Sequence, residues 1–101
     1  LRPNNHRVQM LNVTRYCKMI IARKALRQLI ETSGYPAEIV TEFDPASSCV
    51  SVTVTTDYFA VTDKRLFATV LNLADNFDVS PMLNGEAEIS FMFYRMMIPM
   101  K

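Results

Sequence analysis

Cys49-Val50-Ser51-Val52-Thr53-Val54-Thr55 places an apolar residue at every second position and a thiol or hydroxyl between them. A period of two sends alternate side chains to opposite faces of a strand, whereas a helix would scatter the valines around its axis. Val and Thr also favour extended backbone because their branched Cβ packs well on a pleated surface. The stretch therefore predicts a sheet with Val50, Val52 and Val54 buried on one face and Ser51, Thr53 and Thr55 on the other. Just upstream, Asp44-Pro45-Ala46-Ser47-Ser48 has turn chemistry. Before it, Glu38-Ile39-Val40-Thr41-Glu42-Phe43 is a second β-type run, so the two strands read as a hairpin.

On either side of the hairpin the period changes to that of a helix. Residues 14–33 place Met19, Ala22, Leu26, Leu29 and Ile30 on one face at 100° per residue. Thr14 is the expected cap, and Ser33-Gly34-Tyr35-Pro36 supplies a glycine past the helix end followed by proline. Residues 63–77 predict a second helix, capped by Thr62 with Asp63 in its first turn. Its apolar stripe is Leu66, Phe67, Val70, Leu71, Leu73, Ala74 and Phe77. Pro81 and Asn84-Gly85 mark a turn, and the Asn-Gly pair also suits a hairpin between a short strand at 80–83 and the last strand. That last strand, 86–97, sets Ile89, Phe91 and Phe93 against Ser90, Met92 and Tyr94. With a first strand at 6–13 the order becomes β-α-β-β-α-β. This is an α+β, ferredoxin-like arrangement of two helices on one face of an antiparallel sheet. Without that strand the order is α-β-β-α-β.

A chain of 101 residues with half its positions apolar suits one domain with a core of its own. Residues 10–101 form that domain, and residues 1–9 read as a disordered or expression-derived extension. No apolar run approaches the length of about 20 residues needed for a membrane-spanning helix. The first residues, Leu-Arg-Pro-Asn-Asn-His-Arg, are too polar for a secretory signal. Cys17 and Cys49, far apart and without a metal-binding pattern, read as buried, reduced thiols of a cytoplasmic protein.

The charges are strongly segregated. The first thirty residues hold seven bases and no acid; the other seventy-one hold ten acids and four bases. Arg15, Lys18, Arg23, Lys24 and Arg27 all fall on the first predicted helix, with Ile20 set among them. They are the candidate contact residues for a protein partner or for nucleic acid. In outline the fold is similar to the papillomavirus replication-regulator DNA-binding domain, whose first helix Asn12, Arg15, Cys17 and Lys18 resemble. That fold-level likeness implies a dimer whose first helix reads DNA. Against dedicated nucleic-acid binding stand the net charge of only +1 and the hydroxyls where a base-stacking sheet would display aromatics.

The C-terminal run Ile89-Ser90-Phe91-Met92-Phe93-Tyr94-Arg95-Met96-Met97-Ile98-Pro99-Met100 is apolar on both faces and holds four of the seven methionines. Such a strand needs cover on both sides, so Met92, Tyr94, Met96 and Met97 are expected at a homodimer interface. No catalytic constellation can be assembled. His6 is the only histidine, and the two glycines have turn roles rather than forming a phosphate loop. The sequence reads as a non-catalytic protein-interaction or regulatory module that associates with itself. It calls for no cofactor, metal, membrane or small-molecule substrate, and nucleic-acid binding through the first helix is the alternative.

Overall fold

In chain order the elements among the described residues are β1 (Gln9–Leu11), α1 (Val13–Ser33), β2 (Ala37–Asp44), β3 (Cys49–Asp57), α2 (Ala68–Leu73), β4 (Asn76–Pro81), β5 (Glu86–Phe93) and β6 (Met97–Pro99). The structure is a computed structural model and describes residues 9–58, 65 and 67–99. The decisive alternating stretch becomes β3, the second strand of a four-stranded antiparallel sheet ordered β2-β3-β5-β4. Val50, Val52 and Val54 lie in the core, facing Phe93, Phe91 and Ile89 of β5 in register. Met19, Ala22 and Leu26 of α1, with Phe67, Val70 and Met96, close the core from the helix side.

The class is α+β, but the order β-α-β-β-α-β-β-β departs from the expected ferredoxin-like topology. The first strand is not part of the main sheet. β1 pairs instead with β6 in a separate two-stranded ribbon, Met10 opposite Ile98. The second helix also ends earlier than expected. Ala74 is already extended at φ −77° and ψ 151°, and Phe77, assigned by sequence to the helix stripe, lies in β4 opposite Phe91. Residues 77–80 alternate Phe-Asp-Val-Ser, so they fit a strand as well as a helix end. Pairing with β5 decides between the two. The Asn84-Gly85 turn joins these strands, with Gly85 at φ 82° and the Asn84 side chain bonded to Glu86. Thr62, Asp63 and Leu66 lie outside the described residues.

α1 starts at Asn12 rather than Thr14. The Asn12 side chain accepts from the Arg15 N–H at 3.4 Å, the usual work of an N-cap. Its backbone N–H donates to the Met96 carbonyl at 2.7 Å, so the helix start is tied to the C-terminal segment. At the other end Gly34 takes the left-handed conformation at φ 78°, as the Ser-Gly-Tyr-Pro run predicts. The last strand is not continuous to Met97. It stops at Phe93, Arg95 adopts φ 55°, and the chain resumes as β6. Ser48 holds this kink: its carbonyl accepts from Met96 N–H at 3.0 Å and its Oγ from Met97 N–H at 2.8 Å.

Candidate interaction surface

One face of the sheet lies under the helices. On the other face, strand registers place side chains in rows across the strands. Glu42, Ser51, Met92 and Asn76 form one row; Val40, Thr53, Ser90 and Asp78 the next; Glu38, Thr55, Glu88 and Ser80 a third. Asp44 and Cys49 precede these rows, and Asp57 and Glu86 follow them. Seven of the ten acids of the chain therefore occupy this one face: Glu38, Glu42, Asp44, Asp57, Asp78, Glu86 and Glu88. The four strands contain no Lys or Arg. Hydroxyls fill the middle, where Thr53 Oγ1 and Ser90 Oγ bond at 2.9 Å. Glu38 and Glu88 are two strands apart in one row, roughly 10 Å. At physiological salt that is close to the screening length, so the sheet tolerates them while the face keeps a negative field.

Both edge strands are exposed along nearly their whole length. On the helix side of β2, Phe43 is 49% exposed, and on that side of β4, Phe77 is 51% exposed. Their cross-strand partners Val50 and Phe91 are buried. The helix layer covers the central strands and stops short of the margins.

The expected contact residues of α1 do not act as one set. Arg15 is turned inward: its Nε donates to the Tyr94 carbonyl and its guanidinium pairs with Asp75. Asp75 also accepts from the Tyr94 N–H at 2.8 Å. Burial pushes the Asp75 carboxyl up. The hydrogen bonds from Arg15 and Tyr94 and the charges of Arg15 and Arg95 outweigh it and hold the group below its ordinary value. Ile20, Arg23, Lys24 and Arg27 do gather, at helical spacings of three and four, along a groove on one flank of α1. Ile20 also packs against the core, which accounts for an isoleucine among bases. Arg23 Nε is shielded from solvent and has no hydrogen-bond partner among the described residues. Lys18 is half-buried and does not line that groove.

The other flank of α1 faces α2. Ala25, Gln28, Leu29 and Thr32 line a groove with Thr69, roughly 140° around the helix from the basic groove at 100° per residue. α2 is joined to β4 through Ala74 and Asp75, and Phe67, next to it, sets its ring 5.9 Å from that of Phe91 on β5. The basic flank therefore lies on the side of α1 turned away from α2.

The four expected dimer residues are likewise divided. Met92 is half-buried on the open face of β5, which is a central strand with both edges paired. Tyr94 is exposed beyond its end, accepting from Asn76 Nδ2 at 3.1 Å. Met97 is half-buried in the β1–β6 ribbon. Met96, expected at an interface, is instead 1% exposed in the core. The Arg95 kink turns it under the helices, a reversal that an uninterrupted alternation could not foretell. The cysteines are unbridged, but neither is buried: Cys17 is exposed and Cys49 half-exposed. Burial raises the Cys49 thiol above its ordinary value, against a backbone hydrogen bond with Phe93 and with help from Asp44 and Asp75.

Among the described residues no three His, Cys, Asp or Glu side chains stand together as a metal site would require. Among them, too, no helix is long and apolar enough to cross a membrane. No protein-family model, curated protein or solved structure matches this chain. The acidic sheet was only partly legible in the sequence. Glu38, Glu42, Glu86 and Glu88 stand out as strand residues, but only the register puts them on one face with Asp78.

Proposed function

We propose that this chain is a non-catalytic protein-interaction module that meets its partners through oppositely charged faces, the acidic open sheet and the basic flank of α1. The observation that carries this reading is the segregation of seven carboxylates onto one sheet face whose strands hold no base. Exposed surface pairs add only about 0–1 kcal/mol each to stability, so such an arrangement does little for the fold. A field of one sign does much for encounter rate and for the choice of partner. Self-association is one use of two opposite faces, and its natural contact is sheet to helix rather than through the strand Ile89–Phe93.

A second reading, nucleic-acid binding, is favoured by the unpartnered Nε of Arg23 beside Lys24 and Arg27. Titration of an oligolysine, an oligoglutamate and a duplex DNA, read by backbone amide shifts at several salt concentrations, separates the two. The protein-interaction reading expects oligolysine to move the amides of β2, β3 and β5, and Glu38→Gln/Glu42→Gln/Glu88→Gln to weaken it. A DNA affinity with a log–log salt slope of several units, about −0.9 per phosphate neutralised, lost in Lys24→Glu/Arg27→Glu, overturns it for the second reading. Binding of neither peptide, with a strict monomer in sedimentation, also overturns it.

A further inference from the structure

The open margin of the sheet at β2 carries two kinds of recognition at once. β2 is eight residues long, and among the described residues no strand lies on its outer side. An edge strand turns alternate backbone N–H and C=O groups outward, where they can template another strand. All eight of its residues pair with β3 in continuous register, without a bulge. The opposite edge is a poorer template, because β4 has six residues and ends in Pro81, which has no N–H to give.

We infer that β2 accepts an added strand from a partner, an extended segment that alternates basic with apolar residues. This rests on the proposal that the acidic sheet face meets a basic protein. The alternation follows from the two sides of β2. On the open face it shows Glu38, Val40, Glu42 and Asp44, which favour Lys or Arg in the incoming strand. On the helix side it shows Ile39, Thr41 and Phe43, with Phe43 half uncovered. An apolar side chain there would cover the Phe43 ring.

A second copy of β2 is the wrong occupant. Antiparallel self-pairing centred on Val40 sets Glu38 against Glu42 twice; centred on Thr41, it sets Glu38 against Asp44 twice. Like charges directly opposite destabilise a strand pair, so the carboxylates that attract a basic strand also prevent edge-to-edge dimers. An added strand buries backbone along its whole length, and alternate side chains then give specificity.

The test uses a ten-residue peptide alternating Lys and Val, and the same peptide N-methylated along its backbone, which keeps the charge and removes the donors. Binding is read by amide hydrogen exchange in residues 37–44. Expected is a complex with the first peptide that slows exchange at alternate β2 amides by roughly tenfold or more, no such protection with the second, and loss of binding in Glu38→Lys/Glu42→Lys. Equal binding of both peptides, or shifts spread over the open face with β2 exchange unchanged, overturns strand addition and leaves a flat electrostatic contact. A peptide-free dimer with protected β2 amides overturns it as well. Should neither peptide bind while oligolysine still moves the sheet amides, strand addition alone fails; if oligolysine is also inert, the acidic-face reading fails with it.

Discussion

The Arg15 guanidinium, on the first turns of α1, is paired with the Asp75 carboxylate at the junction of α2 and β4. Asp75 accepts from the Tyr94 N–H, and Arg15 Nε donates to the Tyr94 carbonyl. One ion pair thus joins a helix, a connection and the end of a central strand. Both side chains keep some exposure, 15% and 22%, so the pair falls between a surface bridge and a buried one. Arg15→Ala and Asp75→Ala are each expected to cost about 1–2 kcal/mol in urea unfolding. A double-mutant cycle should return a coupling of about 1 kcal/mol. Purely additive losses would show that the two residues act separately.

The same pair sets an acid limit. Asp75 titrates below its ordinary value of 3.8, so the folded state holds the charged form more firmly than the unfolded chain does. Its contribution is fully present above the unfolded value and is lost as pH falls through the folded one. Stability followed from pH 6 to pH 2 should drop more steeply below about pH 4 in the wild type than in Asp75→Asn. In Arg15→Ala the largest opposing influence on the carboxyl is gone and its burial remains, so that variant should also be flatter. Identical acid slopes in all three would remove Asp75 from the account.

Gly34 ends α1 in the left-handed region at φ 78°, and a Cβ there would touch nothing within 4 Å. Any cost of substitution is therefore conformational rather than steric. Gly34→Ala is expected to lose about 1 kcal/mol in thermal or urea unfolding, and Gly34→Asn less, because Asn visits that region more readily. Gly85 also takes a positive φ with open space around it, but it closes a hairpin rather than a helix.

How far the sequence carried the fold depends on how local each determinant is. The valine alternation at 50–54, the Asp-Pro-Ala-Ser-Ser turn and the Gly34 stop act within a few residues, and each stands where expected. Phe77 and Met96 do not, because their positions depend on partners far along the chain. Phe77 pairs with Phe91 and so leaves the helix; Met96 follows a kink held by Ser48, about fifty residues earlier. Among candidate contact residues, the bases at 23, 24 and 27 gather because one helix spaces them. Arg15 is lost to Asp75, a partner no local pattern announces.

Met96 and Met92 separate a core role from an interface role within one short stretch. Met96 is 1% exposed among Phe93, Leu26 and the other core residues, and truncating such a methionine removes contacts and leaves a cavity. Met96→Ala is expected to cost about 2–5 kcal/mol without changing the sedimentation coefficient of the folded protein. Met92, half-buried on the open face, touches the Tyr94 hydroxyl through its sulfur at 3.9 Å, and Met92→Ala should cost under about 1 kcal/mol. A Met96→Ala protein that keeps full stability but changes its association state would return Met96 to an interface.

The two thiols give a kinetic check on both layers of the structure. Cys17 is exposed on α1, whereas Cys49 is half-exposed at the start of β3, on the open acidic face. Only the thiolate attacks a disulfide reagent, and burial first, then Asp44 and Asp75, push the Cys49 thiol above its ordinary value of 9.0. An anionic aromatic disulfide added near pH 8 should therefore label the wild type in two phases. The fast phase should be absent from Cys17→Ser and the slow phase from Cys49→Ser. Raising the pH toward 9.5 should speed the slow phase, and salt should speed it further by screening the carboxylates that repel the reagent. A Cys49 that reacts first, or whose rate ignores salt, would argue against the acidic face as a source of field at that end of the sheet.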